Sequence, residues 1–242
     1  MNETKIHTLI ESLTSNDVEV RSVAAESLGV TGNSLAVASL IACLRDEYLM
    51  VRSAATDALV QIGEPSVKPL IICLQDDNFE VQSLAAEILG RIGDRRAVVP
   101  LIACLQKKGS LRLSVAKALG QIGDHRAVEP LIVWLQDTSQ PMRTAAAEAL
   151  GMIGDTQAVD SLIACLLNAD VSLRSSAVLA LGQICDSRSV VHLIPLLGDT
   201  TEIYRWGKRL CDEVYDVLLQ IGTPKALKAC ADWVVKGNVP RK

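Results

Sequence analysis

One phrase of about 30 residues recurs along nearly the whole chain. Its first half is clearest at Ala97–Leu105 and Ala127–Leu135, and its second half ends in Leu-Gly-x-Ile-Gly-Asp, as at Leu119–Asp124. Equivalent isoleucines lie 30 or 31 positions apart, at Ile62, Ile92, Ile122, Ile153 and Ile184. A fixed period of this size is typical of a solenoid, in which each copy packs only on its neighbours. The sequence therefore predicts one elongated domain over residues 1–242.

Each copy is predicted to form two helices, A and B. Helix A of one copy runs through Pro100 to Leu105, and this proline is tolerated because its missing N–H lies in the first turn. Helix B of the preceding copy carries a stripe of apolar residues on one face, at Val81, Ala85, Ile88, Leu89 and Ile92. Gly93 then ends that helix. These signals predict an all-α fold, a right-handed superhelix of about seven two-helix repeats.

The two ends depart from the pattern. The first copy lacks the isoleucine and ends at Asn33, as expected of a capping repeat with one solvated side. The last copy, from Asp199 to Ile221, is about six residues longer than the others. We therefore expect an N-terminal capping repeat over 1–33, regular repeats over 34–198, and a lengthened C-terminal capping repeat with its tail over 199–242.

Composition limits the partners and the compartment. A net charge of −4 and an isoelectric point near 5.5 argue against nucleic-acid binding, which uses a basic surface. No run approaches the ~20 apolar residues of a membrane span. Seven cysteines without an apolar export signal after Met1 indicate a reducing compartment. We expect a cytoplasmic protein that binds neither nucleic acid nor membrane.

The repeated motif resembles that of a known family. The residues that carry the resemblance are Val51-Arg52, Ala55, Leu59, Ile62-Gly63 and Pro69-Leu70-Ile71, which are similar to HEAT-like repeats of the short type, named from the phycobilisome lyases. The resemblance covers about residues 5–235 and implies an α-solenoid. It also implies a range of roles, because such repeats serve scaffolds, chaperones, lyase subunits and a metal-dependent hydroxylase. The hydroxylase holds iron with His-Glu pairs, and no His-Glu dipeptide occurs in this sequence, so its activity is not expected.

Two ladders of repeated side chains resemble a metal site and an anion-binding site, but packing and bonding between repeats explain them better. One slot of helix A holds Cys43, Cys73, Cys104 and Cys165, with Trp134 in the intervening copy. Stacked helices lie about 10 Å apart, too far for thiolates to share one ion, so we expect these cysteines to be buried as small hydrophobes. The second ladder is Arg21, Arg52, Arg112, Arg143 and Arg174. We expect it to bond the neighbouring repeat through Asp94, Asp124, Asp155 and Asp186 rather than to grip phosphates or an acidic partner.

Positions that vary between copies are not dictated by packing and are the best candidates for a binding surface. On the B helices they form rows that line the concave side in HEAT-like solenoids. The predicted partner-binding residues are Glu26, Asp57, Glu87, Arg91, Leu113, Lys117, Glu148, Met152 and Leu179. A further solvent-facing row is predicted at Ser22, Ser53, Ser83, Leu113, Thr144 and Ser175. The acidic first part and the apolar later part favour a protein or peptide with a basic and an apolar end, and an ordinary solvated helix face is the alternative.

The last repeat contains a second candidate surface. Its residues are Tyr204, Arg205, Trp206, Lys208 and Arg209, and aromatic and arginine side chains are enriched at binding hot spots. Covering the open end of the solenoid is the structural alternative.

No catalytic constellation is predicted. The histidines His7, His125 and His192 are the chain's three, and no phosphate loop, G-x-S-x-G or H-E-x-x-H motif is present. We therefore expect no catalytic residues, no metal and no cofactor. The leading hypothesis is a non-enzymatic protein-interaction scaffold that binds its partner on the concave face. The alternative, implied by the family resemblance, is a bilin-lyase-like subunit or tetrapyrrole-binding chaperone of phycobiliprotein assembly or turnover.

Overall fold

The computed structural model describes residues 3–106, 111–203 and 208–240. It is 78% helical, and the all-α fold of paired helices that the period predicts is confirmed. The chain divides into two compact units, Met1–Ile122 and Gly123–Lys242. Within the described ranges, no helix combines the length and the apolarity needed to cross a bilayer.

The first unit alternates short A helices with longer B helices. Its helices are α1 (Glu3–Ser12), α2 (Val18–Thr31), α3 (Val37–Cys43), α4 (Leu49–Ile62), α5 (Glu64–Cys73), α6 (Phe79–Ile92), α7 (Val98–Leu105) and α8 (Leu111–Ile122). The even-numbered helices are the B helices, and each packs against the A helix that precedes it.

The second unit continues the alternation and then changes it. Its helices are α9 (Val128–Trp134), α10 (Gln140–Ile153), α11 (Val159–Cys165), α12 (Val171–Ile184), α13 (Val190–Leu193), α14 (Leu210–Ile221) and α15 (Pro224–Val235). A 3-10 turn, Ile194–Gly198, and a two-stranded hairpin of β1 (Glu202–Ile203) and β2 (Lys208–Arg209) separate α13 from α14. Trp233 of α15 closes this end, because its indole Nε1 donates to the Leu197 carbonyl at 2.7 Å.

The Ile-Gly-Asp motif ends one helix and starts the next. Gly93 adopts a left-handed φ of 75°, and Asp94 then accepts a hydrogen bond from the backbone N–H of Arg96 at 2.9 Å. Arg96 lies in a short 3-10 turn, Arg95–Ala97, that precedes α7, and Asp124, Asp155 and Asp186 cap the corresponding turns before α9, α11 and α13 in the same way. One short motif therefore satisfies backbone groups on both sides of each repeat boundary.

The core is aliphatic and repeats with the sequence. Each B helix buries a leucine, at Leu28, Leu59, Leu89, Leu119, Leu150, Leu181 and Leu218. The cysteine ladder lies in this core, as predicted: Cys43, Cys73, Cys104 and Cys165 are all buried, and so is Trp134. Burial raises the pKa of the Cys43 thiol to about 11, so this group is a neutral packing residue at physiological pH.

Three pairs of consecutive B helices meet at glycine: α2 with α4, α6 with α8, and α10 with α12. A Cβ atom on Gly90 of α6 would lie 2.7 Å from the Cα of Ala118 on α8, and one on Gly151 of α10 would lie 2.7 Å from the Cα of Ala180 on α12. Gly29 and Ala58 repeat this contact between α2 and α4. Such distances are too short for any side chain on the glycine, so the repeats are stacked through backbone contact.

Gly151→Ala is expected to lower the free energy of unfolding by roughly 1–3 kcal/mol, because the added methyl forces α10 and α12 apart. Helix propensity alone would predict a gain of ~1 kcal/mol, so the sign of the effect identifies the contact. Urea titration followed by circular dichroism measures it. Gly198→Ala is the matched control, since nothing lies within 4 Å of that site, and its effect should stay within ~0.5 kcal/mol. A Gly151→Ala protein as stable as the control would contradict the close contact.

Cys185 stands where other repeats have the helix-ending glycine. Among the described residues other than glycine, it is the one with a positive φ, at 59°. Its side chain is exposed, so nothing offsets the left-handed backbone. We expect Cys185→Gly to stabilise the second unit by about 0.5–1 kcal/mol. The reciprocal change, Gly154→Cys, should destabilise it by a similar amount, because Gly154 has a φ of 74°. Thermal unfolding of the two variants should therefore shift in opposite directions, and a shift in the same direction would count against this explanation.

Candidate functional site

The predicted rows of variable residues lie on the B helices and are largely solvent-accessible. In the first unit Glu26, Asp57 and Lys117 are exposed and Glu87 is half-buried. In the second unit Glu148, Met152 and Leu179 are exposed. The structure thus brings the predicted residues of each unit onto one set of neighbouring helices. Their position on a concave side stays a prediction.

Arg91 reduces the acidic character of the first unit's surface. Its guanidinium Nη2 lies 2.7 Å from Asp57 Oδ1 on α4, and its Nη1 lies 3.8 Å from Glu87 Oε1 one turn earlier on α6. Two of the three predicted carboxylates therefore already have a cation between them. Glu26 has no ion-pair partner among the described residues, so its carboxylate is the one of these three that no cation neutralises.

The second unit presents a different surface. Met152 on α10 and Leu179 on α12 are each nearly half exposed, although they belong to adjacent helices whose leucines Leu150, Leu173 and Leu181 are buried. Glu148 lies one turn before Met152 and accepts a 3.5 Å hydrogen bond from Ser176 Oγ. Two exposed apolar side chains on adjacent helices are suited to a ligand side chain that is itself apolar.

The predicted solvent exposure of the serine row is wrong at two positions. Ser22 and Ser175 are buried, whereas Ser53 is exposed and Leu113 is half-buried. Ser175 is covered because α14 packs on α12, and its hydroxyl donates to Glu213 Oε2 at 2.7 Å. Burial raises the pKa of Glu213. This row therefore serves packing in part and is not a continuous solvent-facing line.

The arginine ladder joins consecutive repeats, as predicted, but through other acids. Arg21 donates to Asp46 through Nε at 2.8 Å and Nη2 at 3.0 Å, and Arg174 Nη2 lies 3.1 Å from Asp199. Each of these acids belongs to the next repeat. The ladder arginines also donate to carbonyls of the A–B turn in their own repeat, for example Arg143 Nη1 to Asp137 O at 2.9 Å.

The aspartates that were expected to bind the ladder arginines form hydrogen bonds within their own turns instead. Asp94, Asp124 and Asp186 bind the guanidinium two residues further on, at Arg96, Arg126 and Arg188. The side-chain hydrogen bond from Arg126 holds the pKa of Asp124 well below its usual range. The expected pairing with the ladder is therefore wrong, since the short Asp-x-Arg spacing closes on itself around the 3-10 turn.

The C-terminal candidate surface is described only in part. Tyr204, Arg205 and Trp206 lie outside the described residues. Lys208 Nζ binds Asp216 Oδ2 at 2.6 Å, and Arg209 makes two hydrogen bonds to the buried Asp212, at 2.8 and 3.0 Å. These two cations hold the hairpin onto α14, and this is a structural role.

Two open clefts lie at the ends of the described chain. One, of about 440 Å³, lies between the 3-10 turn and α15 and is lined by Leu197, Cys211 and Trp233. The other, of about 350 Å³, lies between α1 and α2 and is lined by Leu9, Val20 and Val23. His7, His125 and His192 are all exposed. In the described ranges, no three His, Cys, Asp or Glu side chains are grouped closely enough to hold a metal ion.

Sequence reasoning missed one exposed apolar cluster. We name it the turn patch: Tyr48, Leu49 and Met50 at the start of α4, and Phe79 at the start of α6. All four side chains are exposed. The available signal was an aromatic residue at the position where neighbouring repeats have a helix-capping Asp or Asn.

The family model of HEAT repeats matches residues 6–78, 67–148, 107–182 and 128–207. The chain belongs to the HEAT-repeat family. No curated protein is significantly similar to it in sequence.

Several solved HEAT-like structures resemble this HEAT-repeat chain in fold. A chain of the CpcE–CpcF complex of phycocyanin lyase from Nostoc is 24% identical over 96% of this chain and 94% of its own, with a TM-score of 0.51. YibA of Escherichia coli is 19% identical over 100% and 89%, with a TM-score of 0.60. Yeast importin-β (Kap95p) is 14% identical over 97% of this chain and 38% of its own, with a TM-score of 0.67. At these identities the likeness shows the fold.

The Arg21–Asp46 contact between HEAT repeats should make stability depend on pH. The hydrogen bond from Arg21 lowers the pKa of Asp46 from its ordinary value of 3.8, so this stabilisation is present above that pH and is lost as pH falls through the lowered pKa. Asp46→Asn should lower the urea midpoint at pH 7, and the difference from wild type should shrink towards pH 3. Asp77→Asn is the control, because Asp77 is exposed and has no ion pair among the described residues. A difference that is constant from pH 7 to pH 3 would contradict the pairing.

Proposed function

We propose that this HEAT-repeat protein is a non-enzymatic scaffold that binds a partner protein on the variable rows of its B helices. One observation carries the proposal. The side chains that are constant between repeats are buried, bonded to neighbouring repeats or bonded within their own turn, whereas Glu26, Lys117, Met152 and Leu179 vary and are exposed. Packing does not require these side chains, so their chemistry is available to a partner. HEAT-like solenoids are also typical of non-enzymatic scaffolds.

The charge of the first unit favours a basic partner segment. Glu26 offers an unpaired carboxylate, and Asp57 and Glu87 share Arg91. An incoming lysine or arginine can therefore bind Glu26 directly and can compete with Arg91 for the other two. Rim charges of this kind act mainly on the association rate and on specificity.

The second unit supplies apolar contact. Met152 is unbranched and polarizable and adapts to partners of different shape, and Leu179 adds an exposed aliphatic surface on the adjacent helix. Exposed apolar side chains next to polar ones are the usual composition of an interface centre and its rim. The two units thus favour different parts of a partner, one basic and one apolar.

Among the similar structures, the complex of CpcE and CpcF shows one such chain bound to another protein. It supports the scaffold proposal by analogy of fold only. The bilin-lyase-like alternative needs basic residues for the propionates of a tetrapyrrole, and Arg205, Lys208 and Arg209 beside Trp206 are the candidates in the sequence. Lys208 and Arg209 already bind Asp216 and Asp212, so the described cations do not favour this alternative.

Opposite charge changes on the first unit should have opposite effects on partner capture. A partner is first identified by affinity capture and mass spectrometry, and its association rate is then measured by biolayer interferometry. We expect Glu26→Lys to slow association about tenfold at low salt, and Arg91→Glu to accelerate it.

Glu129→Lys is the control for these variants, because this exposed glutamate lies on the A helix α9, away from the rows. Equal rates for all three variants would show that the acidic row is only solvated surface. Phycocyanobilin, added at micromolar concentration and followed by visible absorbance, tests the alternative. A protein-dependent spectral change would favour bilin binding over the scaffold role.

A further inference from the structure

The turn patch is a group of exposed apolar side chains that includes two aromatic residues in a protein that has few aromatic residues. Leu49 is 71% exposed, Tyr48 and Met50 are each 48% exposed, and Phe79 is 45% exposed. Phe79 is the single phenylalanine in the chain, and aromatic residues make up only 3% of it. A stack with an aliphatic core does not need an aromatic residue on its surface, so the patch calls for another explanation.

The patch replaces groups that would stabilise the helices. Asp17, Asn78 and Asp170 cap their B helices by accepting a backbone N–H, but Tyr48 occupies the same position on α4 without a side-chain cap. Losing such a cap costs about 1 kcal/mol. At the first helical position, Leu49 and Phe79 are larger than Val18 of α2 and Val171 of α12, and α10 has Gln140 there. At Tyr48 local stability is therefore lowered where an apolar side chain stands in solvent, which is typical of a functional surface.

The backbone beneath the patch is held firmly. Asp46 accepts the backbone N–H of Tyr48 at 3.0 Å and is itself bound by Arg21. Arg52 donates to the carbonyl oxygens of Asp46 and Glu47, at 2.8 and 3.0 Å. The Arg21 guanidinium also lies 5.5 Å from the centroid of the Tyr48 ring, a cation–π distance. A ligand would therefore meet a surface that needs little ordering on binding.

The rim of the patch is negatively charged. The cations around it are engaged: Arg21 binds Asp46, Arg45 binds Asp76, and Arg52 binds Glu80. The exposed carboxylates that remain, with no ion-pair partner among the described residues, are Glu19, Glu47 and Asp77. An apolar centre with an unbalanced acidic rim complements an apolar side chain flanked by basic ones.

We propose that the turn patch binds a peptide segment of a partner in which one large apolar residue is flanked by lysine or arginine. The apolar residue packs against Leu49, Met50 and Phe79, and the flanking cations bind Glu47 and Asp77. This surface lies at the start of α4 and α6 and does not depend on the B-helix rows. The full chain could therefore bind a peptide here even if those rows bind nothing.

A random dodecapeptide library displayed on phage tests the proposal, with the full-length protein as target and the Leu49→Ser/Phe79→Ser variant for counter-selection. Both residues are exposed, so the variant should fold, and circular dichroism verifies this. Enriched peptides should carry a large apolar residue beside at least two lysines or arginines. Peptides without basic residues, or no enrichment above the input library, would overturn the proposal.

One enriched peptide is then synthesised with fluorescein, and its affinity is measured by fluorescence anisotropy. Leu49→Ser or Phe79→Ser should each weaken binding about tenfold, as at a hot spot. Glu47→Lys/Asp77→Lys should weaken it at 50 mM salt and remove most of its salt dependence. Leu167→Ser is the matched control, because Leu167 is also highly exposed but lies in the second unit. Equal affinity for the control and the patch variants would overturn the assignment of this site.

Discussion

The stacking of this protein depends on how closely its consecutive B helices approach each other. At Gly90 and Gly151 the facing residue is an alanine, and its backbone and methyl lie where a side chain on the glycine would stand, together with the amide oxygen of Gln121 or Gln183. Larger side chains are excluded from that line and are displaced to either side of it. One side is the leucine-rich core, and the other is the solvent-exposed surface of the B helices. Side chains also join successive repeats, as Arg91 on α6 binds Asp57 on α4.

Much of this architecture could be predicted from the sequence because the same helix-ending and core residues recur in successive repeats. Isoleucine, glycine and aspartate at fixed spacing marked where B helices end, and the cysteine slot lay between leucines and was correctly predicted to be buried. Prediction was weaker for pairing. The four aspartates and the five arginines of the ladder had matching periods, but period alone does not tell which acid lies nearest. The local Asp-x-Arg closure around the 3-10 turn was decided by a geometry that the spacing does not reveal.

The candidate surfaces were predictable to a similar degree. The sequence placed Glu26 and Leu179 on exposed positions of the B helices, because helical period fixes which side faces the core. It could not show that Arg91 bridges Asp57 and Glu87, or that α14 covers Ser175, because both depend on the separation of helices. The turn patch was missed for another reason. Its residues lie in turns, where the repeat pattern predicts capping residues, and a single aromatic residue such as Tyr48 does not show from the sequence whether it is buried or exposed. Both candidate surfaces, the B-helix rows and the turn patch, consist of residues that differ from one repeat to the next.

The buried cysteines have a consequence for dynamics. A protected thiol reacts with a labelling reagent only when its surroundings open, so its labelling rate measures the free energy of local opening. Cys43, Cys73, Cys104 and Cys165 occupy one slot in four different repeats, and Cys185 is an exposed reference in the same chain. Repeat proteins open as nearest-neighbour arrays rather than as one cooperative block. This protein therefore contains, at regular intervals, its own set of chemical probes for whether opening begins at one end or in the middle.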